Sequence, residues 1–178
     1  LESTGALNVR INGRTIHTEA KLMVRSLGGE FDRFQVRLPP GADYVGTPAA
    51  GTSLVAIDAS AARGKTYEVK LNKKTTGPAE VPLATERVYN SSQGDTAIEI
   101  GGFEVLGAVR QSGTVAIKVE GNWQLIWGDA NQAAPVDDLD AVFRRSDLTA
   151  GFEYFAQPFT LAARIVSQQS RVRVQPEY

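Results

Sequence analysis

Alternation of apolar and polar residues dominates the first part of the chain. From Thr15 to Leu27, Ile16, Thr18, Ala20, Leu22 and Val24 fall on one face, and His17, Glu19, Lys21, Met23 and Arg25 on the other. A period of two is the mark of a half-buried antiparallel strand. Leu7, Val9 and Ile11 alternate in the same way with Asn8 and Arg10. Asn12-Gly13 between the two runs predicts a two-residue hairpin turn, since a type I′ turn needs positive φ at both central positions.

The same reading continues beyond Gly28-Gly29. Phe34, Val36 and Leu38 form a third strand, ended by Pro39-Pro40-Gly41, because proline cannot donate to a ladder. A loop rich in Pro, Gly and Ala reaches Gly51. Further strands are expected at Ser53–Ile57, Tyr67–Leu71, Val81–Tyr89, Ala97–Ile100, Phe103–Val109, Thr114–Val119 and Trp123–Trp127. Gly101-Gly102, Ser112-Gly113 and Gly121-Asn122 are read as separators. Phe152–Ala156, Leu161–Ser167 and Arg171–Gln175 complete the set. One short helix is expected from Val136 to about Arg145, where Val136, Leu139, Val142 and Phe143 recur at helical spacing. Acidic residues near its start and Arg144-Arg145 near its end suit the helix dipole.

Short strands punctuated this regularly predict an all-β chain whose antiparallel sheets pack as a sandwich. Asn90 to Asp95 is the most linker-like segment. The chain is therefore expected to be one sandwich, or two small sandwich sub-domains with a boundary near 90–95. Leu1 in place of an initiator Met, and an alternating run that meets the C-terminus, lead to the expectation that 1–178 is an excised region of a larger protein.

Composition narrows the classes. The 178 residues are 42% hydrophobic and 22% charged, with a net charge of -1. That is ordinary globular composition. It lacks the concentrated positive surface that nucleic acid or an anionic membrane surface requires. The absence of cysteine excludes disulfides and thiolate zinc sites. No apolar run approaches the roughly 20 residues of a spanning helix, so membrane insertion is not expected.

Candidate chemistry is sparse. His17, the lone histidine, lies on the polar side of a strand, and no Gly-x-Ser-x-Gly elbow accompanies it. Asp137, Asp138 and Asp140, with Asp129 and Asn131 upstream, offer oxygens for calcium, which takes six to eight such ligands. Their spacing is not that of an EF-hand, and helix capping explains them with fewer assumptions. Trp123, Leu125 and Trp127 share one strand face, as do Phe152 and Tyr154. Such a face is more often core, but if exposed it would be an aromatic platform for sugar rings. Glu99, Glu104, Glu120 and Glu153 could supply a glycosidase pair, which only their separation in space would define. Asn90-Ser91-Ser92 fits an N-glycosylation pattern of high chance frequency.

Two stretches carry a resemblance. Glu30-Phe31-Asp32-Arg33-Phe34-Gln35-Val36-Arg37-Leu38-Pro39-Pro40-Gly41-Ala42 is the first. Gly151-Phe152-Glu153-Tyr154-Phe155-Ala156-Gln157-Pro158-Phe159, with the closing Val172-Arg173-Val174-Gln175-Pro176-Glu177-Tyr178, is the second. The chain resembles β-rich modules of large uncharacterised exported proteins of planctomycete-like bacteria. The resemblance implies repeated β-sandwich modules, an extracytoplasmic location in the envelope or medium, and no assigned activity or site residue.

The leading expectation is a non-enzymatic structural or interaction module whose partners are neighbouring domains of the parent chain, another protein or a polysaccharide. The alternatives are a carbohydrate-binding module using Trp123, Trp127, Phe152 or Tyr154, and part of a hydrolase whose site is shared with a missing domain.

Overall fold

The structure is a computed structural model that describes residues 1–60, 63–89 and 95–167. The strand expected at Arg171–Gln175 and the glycosylation pattern at Asn90 lie outside the described residues. The fold is all-β and sandwich-like: three sheets enclose the core, with a single turn and a half of helix late in the described chain.

The central sheet has seven strands. Its core is β1 (Glu2–Ile11) paired with β2 (Thr15–Arg25), followed outward by β7 (Ala79–Val88) and the short β4 (Asp43–Tyr44). On the other side of β1 stand β10 (Arg110–Val119), β13 (Ala150–Tyr154) and β12 (Ala133–Pro135). Among the described pairings β1·β10 alone is parallel, running from Glu2↔Arg110 to Ile11↔Val119. A four-stranded sheet contains β5 (Thr52–Asp58), β6 (Thr66–Thr75), β3 (Phe31–Arg37) and β9 (Glu104–Val105), in that order. A three-stranded sheet contains β11 (Trp123–Asn131), β14 (Thr160–Ser167) and β8 (Asp95–Gly101).

The predicted alternation places the core. On β1 and β2 every second side chain is buried, including Leu7, Val9, Ile11, Leu22 and Val24, all at 2% exposure or less. Each such aliphatic side chain contributes about 1.5–3 kcal/mol when withdrawn from water. One cluster of buried residues joins all three sheets, with Phe34, Val36 and Val105 from the four-stranded sheet and Ile98, Leu161 and Ile165 from the three-stranded one. Residues on both sides of 90–95 take part in it.

Several local expectations are corrected. The first hairpin turns one residue later than Asn12-Gly13. Asn12 N–H donates to the Thr15 carbonyl, which leaves Gly13-Arg14 as the loop. The Asn12 side chain accepts from the N–H groups of Arg14 and Thr15, an Asx turn that needs no positive φ at Gly13. Ser112-Gly113 does not separate strands but lies inside β10, and Phe103–Val109 contributes only the two residues of β9.

The helix α1 is Leu139–Phe143, five residues in place of ten. Asp138 caps its start by accepting from Ala141 N–H, while Val136 lies outside it and its N–H donates to the Gly151 carbonyl. Arg144 ends it in the left-handed region at φ 53°, so Arg144-Arg145 are not a basic last turn. Residues 133–135, unassigned by periodicity, form β12 against β13.

Candidate functional site

The outer face of the central sheet carries an open trough of about 510 Å³. Its floor is set by register. Ala6, Lys21 and Pro82 form one row across β1, β2 and β7, and Asn8, Glu19 and Ala84 form the next. Four of these six side chains are small or neutral, so the sheet backbone lies near the surface there. The Tyr44–Ala49 segment forms the wall. Val45 N–H donates to the Ala84 carbonyl at 2.9 Å, and the Tyr44 ring packs on Tyr67 with centroids 5.7 Å apart. Burial and the neighbouring Tyr67 push the Tyr44 hydroxyl upward.

Charges frame the trough in pairs. Arg145 donates to the Asn8 side-chain oxygen at 3.0 Å and grips both oxygens of Asp147, at 3.0 and 2.9 Å. The guanidinium beside it holds the Asp147 carboxyl down at about 2. Lys21 lies 3.4 Å from Glu80. His17 stands in the row beyond, between Glu19 at 3.4 Å and Glu86 at 3.5 Å. It lies on the polar side of β2 as expected, and is half-buried between these carboxylates.

A second, more open cleft of about 660 Å³ lies on the outer face of the three-stranded sheet. Ala97, Gly128 and Ala162 give it a low floor, and Trp127, Ile126, Glu99 and Asp129 stand around it. Its arginines are held: Arg164 forks onto Asp95 and Arg87 donates to the Glu99 carbonyl at 3.1 Å. The bidentate contact lowers Asp95 and raises Arg164.

The four aromatic residues singled out from the sequence are brought into the core region and not onto one open platform. Phe152 and Tyr154 are 5% and 3% exposed, so neither offers a ring face to a sugar. Tyr154 stacks on Phe159 at 4.7 Å, and burial pushes its hydroxyl up to about 12. Trp127 meets Phe152 edge-on at 4.9 Å and shows its remaining surface to the second cleft. Trp123 lies over the hairpin turn, where a Cβ on Gly13 would come within 2.2 Å of its ring.

Asp129, Asp137, Asp138 and Asp140 are all exposed and do not converge. Among the described residues no group of three or more His, Asp or Glu side chains is placed to hold a metal ion. Glu104, one of the carboxylates weighed for a glycosidase pair, is bonded to Arg37 at 3.1 Å. No helix of the described residues is long and apolar enough to cross a membrane.

The trough itself escaped sequence reading. Two hints were present: small outward residues at Ala6 and Ala84 amid charged neighbours, and Pro82 within a strand, which marks a ladder edge. Indeed β4 pairs with β7 only at Thr85 and Glu86, leaving Pro82 unflanked on that side.

No protein-family model and no curated protein sequence matches the chain. Among solved structures, a mutant M1 zinc metallopeptidase from Deinococcus radiodurans, bound to a Tyr-Ser-Ala substrate, is similar with a TM-score of 0.46 and 12% sequence identity. The match covers 93% of this chain and 41% of that one, so the chain spans less than half the length of the metallopeptidase.

Proposed function

We propose that this chain is a non-enzymatic interaction module of a larger exported multidomain protein, engaging a neighbouring domain or partner through the trough on its central sheet. The observation that carries the reading is the trough's make-up. It offers shape, with a floor mostly of small or neutral side chains beside a fixed wall, while its charged groups Glu19 and Lys21 are 62% and 61% exposed. Catalytic groups are tuned by the opposite setting, burial beside a specific charge. Placement in an exported parent follows the resemblance of residues 30–42 and 151–159 to modules of that kind.

The test compares thermal melting of this chain alone with that of its longer parent, each with and without Ala84→Arg. Melting of the module at a higher temperature in the parent, with Ala84→Arg removing the difference, supports the reading. Equal melting in both contexts, unmoved by the substitution, rejects it.

Carbohydrate binding is a second reading, supported by the indole of Trp127 at a cleft that also carries Glu99 and Asp129. Saturable change in tryptophan emission with a soluble polysaccharide, lost in Trp127→Phe, is its expected outcome. An emission spectrum indifferent to a broad glycan panel counts against it.

A further inference from the structure

The described sheet edges differ in how they are finished. Strands β4 and β9 are two residues long, and β12 is three with Pro135 in it. Strand β8 carries Asp95 and Glu99, while β11 breaks register after Trp127 and carries Asp129. Each is a device that discourages pairing with another chain.

Strand β5 is the exception. Thr52-Ser53-Leu54-Val55-Ala56-Ile57 runs without charge or proline, with a register irregularity before Asp58 as its one protection. It pairs with β6 on one side, and among the described strands nothing pairs on the other. Val55 and Ile57 are 60% and 50% exposed.

We propose that β5 pairs antiparallel with β5 of a second copy of this chain, across a two-fold axis at Val55, joining two four-stranded sheets into one of eight strands. The occupant follows from the edge itself. Unpaired backbone groups along an edge are satisfied by an extended strand, and this one is complementary to itself. In that register Leu54 faces Ala56 on either side of the axis, and Asp58, the strand's one charge, lies past the irregularity at the end of the contact, so no like charges meet. The two Val55 side chains cover each other on the outer face. Glu68, beside Val55 on β6, stands roughly 14 Å from its copy at three strand spacings. That exceeds the Debye length of about 8 Å at physiological salt, so the pair does not oppose assembly.

Seven residues span roughly 23 Å of edge. Such a contact falls short of the roughly 1,200 Å² of a stable interface, so the dimer is weak and concentration-dependent. This surface is separate from the trough, and the inference stands or falls without the interaction-module reading.

Sedimentation equilibrium of the chain from about 10 μM to about 1 mM tests it, over the range in which such weak affinities fall. A reversible monomer–dimer equilibrium is expected, with Val55→Lys and Ile57→Lys each weakening association at least tenfold. Val109→Lys, at a site 73% exposed and away from β5, is expected to leave it unchanged. Hydrogen exchange at residues 52–58 should slow as concentration rises. Circular dichroism confirms that the variants are folded, the substituted side chains being exposed. A monomer throughout the range, or a dimer indifferent to both β5 substitutions, overturns the proposal.

Discussion

The Tyr154 hydroxyl reaches across β10 to Gly5, where an added Cβ would come within 2.2 Å of it. Its route passes over Gly113, which is paired with Gly5 on one side and with Tyr154 on the other. A Cβ on Gly113 would sit 2.6 Å from that hydroxyl, and one on Gly5 would in addition press Leu22 and Leu7 at 3.2 Å. Two glycines in adjacent strands thus make the hollow that one phenol fills. Gly5→Ala is expected to cost about 1–3 kcal/mol by overpacking. At this chain length that lowers the melting temperature by about 2–4 °C per kcal/mol. Tyr154→Phe should recover part of the loss, and a double-mutant cycle by thermal melting measures the coupling. Additive effects would show that the hydroxyl is not what excludes the Cβ.

Gln111 is buried, and its side chain pairs with the backbone of Val105: its Oε1 accepts from the N–H at 2.7 Å and its Nε2 donates to the carbonyl at 3.0 Å. A side chain of the central sheet here stands in for a strand beside β9. Ala108 N–H also reaches the Val105 carbonyl, so the N–H alone is orphaned if Gln111 is lost. Gln111→Leu is therefore expected to cost about 1–3 kcal/mol, the desolvation penalty of one buried donor. Chemical denaturation measures it, and a change under about 0.5 kcal/mol, the lower end for a net hydrogen bond, would contradict the assignment.

Acid stability should report the Arg145–Asp147 fork. The folded carboxyl titrates at about 2, below its ordinary 3.8. A depressed carboxylate stabilises the fold above its unfolded value, and that contribution is lost as pH falls from about 4 toward 2. Melting temperature should drop across that window, and Asp147→Asn should flatten part of the drop. An identical pH profile for the variant would remove Asp147 as a contributor.

Trp123 should respond to the hairpin beneath it. Because its indole lies on Gly13, Gly13→Val must lift the ring or shift the turn. The expected readout is tryptophan emission moved to the red with a lower melting temperature, whereas Gly28→Val, in open space, should alter neither. Unchanged emission in Gly13→Val would place the indole elsewhere.

How much of this was legible depended on range. The period-two runs of β1 and β2, and the shared inward face of Trp123, Leu125 and Trp127, follow from local pattern alone. Gly113 misled because its strand is sustained by Tyr154, some forty residues on, and no local signal announces a ring laid over a glycine. The aspartates at 137–140 were readable as a cap, but the helix bounds were not: it starts at Leu139 rather than Val136, and Arg144 ends it in a conformation usually left to glycine or asparagine. The trough combines rows from β1, β2 and β7 with a wall from residues 44–49. Its parts are ordinary in sequence, and only the register brings them together.

The parallel seam between β1 and β10 has a consequence for how the molecule is made. The first hairpin closes almost as soon as it is synthesised, but its other flank stays open until the chain has been extended past Val119. At about 5–20 residues per second, the interval is on the order of ten seconds. During it β1, with Leu7, Val9 and Ile11 on its buried face, exposes an unsatisfied edge. A nascent chain stalled before β10 is thus a captive template for misassembly, and holding that flank apart until its late partner emerges is a task for the cell's chaperones.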